Sequence, residues 1–171
     1  MSTATASSLG ELEILRHVTR TTQQVLRMNV DGVSQEESLI QPQPAGNCLN
    51  WIVGHLLCVY NNVLPLVGQE PVMSKDKLKR YERGSAPLHN SAEALPLSEM
   101  VSACDEAAKR VEAGLDSLTV ERLDSHAPFS PTKNPNETVR SLLSTVSFHQ
   151  AYHVGQLGVL RRIAGKPGAI A

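Results

Sequence analysis

The sequence predicts an all-α fold, a four-helix bundle with long connections, built as one domain over residues 1–171. Three observations predict it. Four segments carry apolar residues at alternating spacings of three and four, the period of a helix face turned toward a partner. Aromatic residues make up only 4% of the chain and β-branched alternation is weak, which argues against a sheet. The segments are separated by stretches rich in proline, glycine or charge that cannot continue a helix. At 171 residues the chain is long enough to bury a core.

The first helix is expected to begin near Ser8, where Ser8 and Glu11 fit a capping box. Leu12, Leu15, Val18 or Thr19, Thr22, Val25 or Leu26, and Asn29 then hold helical spacing until Asp31-Gly32 ends the run. His17 falls on its flank, as a surface or core polar residue. Gln41-Pro42-Gln43-Pro44-Ala45-Gly46 forms a loop, and Asn47 is the expected N-cap of the second helix. The seam of that helix runs Ile52, His55, Val59, Asn62, Leu66, with Trp51 as a large anchor under its entry and Pro65 near its end. Residues 69 to 95 form a long connection, of the kind that is usually functional or disordered. Its charged run from Lys75 to Arg83 is most simply a solvated face. The third helix starts at Ser98 and carries a purely scaffolding seam of Val101, Cys104, Ala108, Val111, Leu115 and Leu118. A proline-bearing loop over 120 to 135 places His126 at the surface. Asn136 caps the fourth helix, and Gly165-Lys166-Pro167-Gly168 ends it.

The fourth helix holds the most informative pattern. Its stripe reads Val139, Leu142, Val146, His149, His153, Gln156, Leu160, Ile163, apolar at both ends and polar in the middle. His149 and His153 are four apart, so their rings project from one side of the helix, a turn apart. Buried polar groups without partners cost a few kcal/mol. Two neutral imidazoles on one face are compensated either by carbonyls and water or by a shared metal ion. His55 occupies an inward position on the second helix, and with it three histidines from two helices become candidate ligands for one ion. Cys58, three residues on, is a further candidate; a buried free thiol is the plainer reading.

Composition narrows the classes. The net charge of −1 gives no electrostatic case for nucleic acid or an anionic membrane. No apolar run approaches a spanning length. The N-terminus, small and polar, does not resemble a signal peptide, so a cytoplasmic protein is expected. Cys48, Cys58 and Cys104 form no CxxC pair and are odd in number, as reduced intracellular thiols would be.

Three histidine ligands leave a coordination position open, as in catalytic rather than structural zinc sites. Zinc is the first expectation for this divalent site, and ligand softness also permits nickel, iron, cobalt or copper. An open position lets the ion bind a thiol as thiolate or bring a bound water to a pKa of about 7. In zinc proteases the residue after the first histidine of such a pair is glutamate, the general base. Here it is Gln150, and no carboxylate falls in the seams of the second or fourth helix. A peptidase with a helix-borne base is therefore disfavoured. A thiol nucleophile, with a free pKa near 8.5, needs little deprotonation. Tyr152 and Gln156 are candidates for orienting a small-molecule substrate, or for core hydrogen bonding. Arg80 and Arg83 are candidates for receiving an anionic group at the rim.

At these residues the chain resembles a known family. Asn50-Trp51-Ile52-Val53-Gly54-His55-Leu56 is similar to the W-x-x-x-H-L segment of the DinB/YfiT-like metalloenzymes. His149-Gln150-Ala151-Tyr152-His153-Val154-Gly155-Gln156 resembles their H-x-x-x-H-x-G-Q segment, and Tyr81-Glu82-Arg83-Gly84-Ser85 their aromatic-x-R-G-S turn. The resemblance spans nearly the whole chain. It implies a bundle of unusual connectivity, often dimeric, with a divalent metal on His55, His149 and His153. It further implies a thiol-dependent transferase or isomerase acting with a low-molecular-weight thiol. Two alternatives stand beside that expectation: a hydrolase using metal-bound hydroxide, and a non-enzymatic metal-binding stress-response protein, which a closing fourth ligand such as Cys58 would favour.

Overall fold

A computed structural model describes residues 3–88 and 90–170, the first seven of them by backbone alone. Its helices are α1 (Thr3–Val30), α2 (Gln35–Ser38), α3 (Leu49–Val63), α4 (Lys75–Leu78), α5 (Leu97–Leu115), α6 (Val120–Asp124) and α7 (Val139–Ile163), and no strand occurs among the described residues. The expected four-helix bundle is formed by α1, α3, α5 and α7. Both α1 and α3 pack on α5 and α7. So α1 and α3 stand at opposite corners, as do α5 and α7. Successive helices that lie diagonally need long connections, and the chain supplies them.

Helix α3 is buried nearly all round, from Leu49 to Leu57 without a break. A helix without a polar face belongs inside a core. It lies against α5 and α7, and the single-turn helix Leu64–Val67 and residues 75–81 cover it further. Fully burying a side chain such as Leu56 or Leu57 contributes about 1.5–3 kcal/mol, and both are at 0% exposure. Gly54 on this helix admits the ring of Tyr81; a Cβ there would collide with it. The connection over 69–95 is thereby folded onto the core. It carries α4 and two further helical turns, and it buries Leu78, Tyr81 and Leu88.

Several helix starts differ from the expected ones, because tertiary bonds outweigh local capping candidates. Helix α1 already runs at Thr3, so Ser8 is interior to it, and Glu11 pairs instead with Arg140 on α7. Helix α3 is capped at Cys48 rather than Asn47, with no side-chain capping bond. Helix α5 begins at Leu97, one residue before Ser98; the Leu97 N–H donates to Gln35 Oε1 at 2.7 Å, so a side chain from α2 does the capping. Helix α7 is capped by Thr138 in a reciprocal box with Ser141, two residues after Asn136. The reason lies upstream: the bridge between His126 and Thr138, with Ala127 N–H donating to Glu137 O, holds that stretch extended. The ends of α1 and α7 are as expected, with Gly32 at φ 67° and Gly165 at φ 77°.

The core face of α7 is also turned by a fraction of a helical step. It comprises Val139, Leu142, Val146, Gln150, Val154, Leu157 and Leu160. His149, His153 and Gln156 lie at its edge, half-buried, and Ile163 is exposed. On α3, Val59 is half-buried and Asn62 exposed, so its expected seam also holds only in part.

Gly54→Ala is expected to destabilise the protein by about 1–3 kcal/mol in urea unfolding, because overpacking displaces the Tyr81 ring. Gly155→Ala, at an open helix position with no neighbour for a Cβ, is expected to stabilise it by about 0.5–1 kcal/mol.

Candidate metal centre

His55 enters from α3, and His149 and His153 from successive turns of α7. The three ring centroids form a triangle with edges of 5.2, 5.0 and 4.4 Å. One ring nitrogen from each lies within 4.8 Å of the others, an arrangement that could hold a metal ion. The expected convergence of residues 55, 149 and 153 is therefore observed. His55 is buried, while His149 and His153 are half-buried, so the group sits at the bundle's edge and not deep within it.

Each ring is held by a neighbour. Nδ1 of His55 donates to the Tyr81 carbonyl at 2.9 Å, which leaves Nε2 with its lone pair. Trp51 stacks flat on the same ring, with centroids 4.9 Å apart and 16° between planes. The indole N–H donates to Ser85 Oγ at 3.0 Å, and that hydroxyl donates to the Arg80 carbonyl. Nδ1 of His153 donates to Gln156 Oε1 at 2.7 Å, again freeing Nε2. Such outer contacts fix tautomer and ring orientation in metal sites.

His149 lacks an equivalent support. Its Nδ1 is buried with no hydrogen-bond partner, and its Nε2 faces His55 Nε2 at 3.3 Å. Zinc–nitrogen distances of about 2.0–2.1 Å place two ligands about 3.3–3.4 Å apart across a tetrahedral edge. A cation between the two Nε2 atoms gives both lone pairs a partner. The residues thus fit a divalent ion.

Burial lowers the pKa of all three imidazoles. The shift is largest for His149, which falls to about 4; burial comes first, then the mutual repulsion with His153 and His55. The Gln150 amide opposes this from nearby without reaching bonding geometry. Arg83 also lowers His55 and His149 through its positive charge. At neutral pH the rings are neutral and able to ligate.

The other candidates separate clearly. Arg83 is exposed and close enough for its charge to act on His55 and His149, and among the described residues it makes no hydrogen bond or ion pair. Arg80 is committed elsewhere, to the carbonyls of Ala86 and Pro87 and to Glu93. Tyr152 is exposed and lies edge-on to His153 at 5.2 Å. Cys58 does not face the histidines: its thiol donates to the Leu78 carbonyl, and burial pushes its pKa to about 12. Gln150 points into the bundle and donates to the Leu56 carbonyl at 3.3 Å. His17 and His126 are exposed, and His126 binds the Pro135 carbonyl.

Two supporting residues were not expected from the sequence. Tyr81 serves through its carbonyl on His55, while its hydroxyl donates to Asn50 Oδ1 at 3.0 Å and accepts the Leu95 N–H at 2.7 Å. Asn50 then donates to the Leu95 carbonyl at 3.1 Å. The only sequence signal was their presence within the two family-like segments.

A helical bundle with diagonal connectivity and three histidines converging from its second and last long helices defines a class of bundle proteins with a histidine group that could hold a metal ion. The chain matches the DinB superfamily over residues 18–157 and belongs to it. A solved conserved protein from Enterococcus faecalis is similar in fold, with a TM-score of 0.69 and 16% identity, over 90% of this chain and 97% of its own. Among curated proteins, none matches. No described helix is long and apolar enough to cross a membrane.

The depressed pKa values set a pH dependence. The unfolded histidines bind protons below about 6.5, whereas folded His149 resists them down to about 4. Metal-free protein is therefore expected to lose stability as pH falls from 6.5 toward 4 and to show little histidine-linked change above 7. Urea midpoints measured across that range check it.

Proposed function

We propose that the chain holds one divalent ion on His55, His149 and His153 and transfers a low-molecular-weight thiol to an electrophilic small molecule. It does so as a single domain over residues 1–171, in the cytoplasm, where three free thiols suit a reducing compartment. One observation carries the reading: three neutral imidazoles turn toward one point at a solvent-facing edge, and no other described Cys, Asp or Glu joins the group. The donor set favours zinc, with nickel or iron as alternatives. When bound, the ion supplies positive charge that keeps a thiol sulfur deprotonated near neutral pH.

The chain's own residues do the rest. Arg83 receives a carboxylate of the thiol, Gln156 holds His153 in its ligating tautomer, and Tyr152 borders the substrate beside His153. The thiol loses its proton to solvent, and the sulfur electron pair forms the new S–C bond. The leaving group departs with the electron pair of the bond it loses. The sulfur must come from outside, because Cys48, Cys58 and Cys104 are buried and burial raises all three thiol pKa values. The hydrolase reading is weakened because Gln150, at the position of a protease base, faces the core. The non-enzymatic reading loses its closing ligand, since Cys58 faces Leu78.

Tag-free protein is expected to carry about one equivalent of metal, lost in His149→Ala. Metal-loaded protein should consume bacillithiol-, mycothiol- or glutathione-type thiols in the presence of alkyl halide or epoxide electrophiles. Loaded protein that consumes none of them, yet hydrolyses esters or lactams, would reverse the assignment. Arg83→Ala should raise KM about three- to tenfold for carboxylated thiols and leave 2-mercaptoethanol unaffected.

We further propose a homodimer. Phe148 and Tyr152 are 73% and 57% exposed on one face of α7, with ring centroids 6.3 Å apart, an apolar patch that a second copy would cover. Sedimentation should show a dimer that Phe148→Glu converts to monomer.

A further inference from the structure

A cavity of about 380 Å³ opens beside His153, and Arg83 is not among its lining residues. One wall is the loop of Pro42 and Ala45, the floor is Ile52 of α3, and the other wall is Val159, Leu160 and Ile163 of α7. Its polar lining is His153, Gln156 and Asn47, and no described lining residue carries a formal charge. The volume lies at the low end of ligand pockets, roughly 300–1,000 Å³.

The loop wall is built rather than incidental. Gly46 sits at φ 144°, and a Cβ there would come within 2.8 Å of Pro42 Cγ, so the turn closes on itself only with glycine. Gln41, just before it, donates to the carbonyls of Leu39 and Leu88. Leu88 is itself fully buried, which ties the wall to the same connection that carries Tyr81.

Chemistry follows from the lining. An alkyl or other neutral apolar group gains by leaving water here. A charged group would be desolvated against Pro42, Ala45, Ile52 and Leu160 with no counter-charge. The cavity meets the histidine group at His153 and its partner Gln156, while His55 and His149 do not line it, so a molecule seated there lies next to the group on one side. We propose that this cavity receives the uncharged, apolar portion of the electrophilic substrate and thereby selects substrates with a short alkyl-like group beside the reacting atom. This assignment rests on the function proposed above only for the word electrophile; the binding preference rests on the cavity alone.

The test uses the full chain in two states. Metal-free protein is titrated with 1-alkanols from butanol to octanol, followed by amide NMR. Shifts are expected at Gly46, Asn47, Val159 and Leu160, with affinity rising about three- to fourfold per methylene until the cavity is full. Hexanoate and hexylammonium should bind at least tenfold more weakly than 1-hexanol. Ala45→Asp and Val159→Glu, both at exposed positions, should each weaken hexanol at least tenfold while leaving the urea midpoint close to that of the parent. Zinc-loaded protein is then titrated with n-alkyl hydroxamates, whose head group chelates metal, and the same chain-length dependence is expected. If acetohydroxamate binds the loaded protein but longer chains bind no tighter and alkanols shift nothing at the cavity, the inference is overturned while the metal reading stands. If the protein takes up no zinc yet alkanols bind with the stated dependence, the metal reading fails and the cavity assignment survives. If the cavity signals move with protein concentration and not with alkanol, the crease is a contact between copies, and the inference is overturned.

Discussion

The packing of Tyr81 against Gly54 is the contact on which the rest of the molecule depends. Only a residue without a Cβ lets the ring approach α3 so closely. The approach brings the Tyr81 carbonyl to 2.9 Å from His55 Nδ1, and that bond decides which nitrogen of His55 stays free. The hydroxyl end of the same side chain is satisfied by Asn50 and the Leu95 backbone, so the buried phenol carries no orphaned polar atom. A long connection with few apolar residues is thereby pinned at both ends of one ring. The metal-site geometry and the folding of residues 69–95 are one constraint seen from two sides.

Electrostatics explains what such a site prefers to bind. Three neutral imidazoles leave the charge of a divalent ion uncompensated, and Arg83 adds to it. No described carboxylate joins the histidine group. Burial discourages protonation of the rings, so the positive potential is not built from imidazolium and does not vanish when the solution is mildly alkaline. A divalent ion held by such a group would therefore keep its positive charge and favour an anionic ligand.

The long helices and the histidine pair were legible because both are local patterns. Spacing by three and four is enforced within one helix, and His149 with His153 needs no tertiary information to share a side. His55 was legible from its inward register on a segment that is apolar all round. Helix starts were not, because Ser8, Asn47, Ser98 and Asn136 are good capping residues in isolation. The chain chose otherwise through distant groups: Gln35 for α5, and the extended bridge at His126 for α7. Arg80 and Arg83 looked equivalent in sequence. They part only in three dimensions, where the carbonyls of residues 86 and 87 and the Glu93 carboxylate claim one of them. The role of Tyr81 was hidden for the same reason, since it acts through a backbone carbonyl 26 residues from its partner.

The rotation of α7 carries the last consequence. Had its histidine stripe been the core face, as the periodicity alone implies, the imidazoles would be sealed inside and an ion there would meet only protein. Gln150, Val154 and Leu157 take the core positions instead, which moves the histidines to the edge. That edge feels the positive charge of Arg83, which lowers the pKa of His55 and His149, and it borders an uncharged hollow at His153. A fraction of a helical step in α7 thus decides that the three imidazoles stand at the bundle's edge rather than within its core.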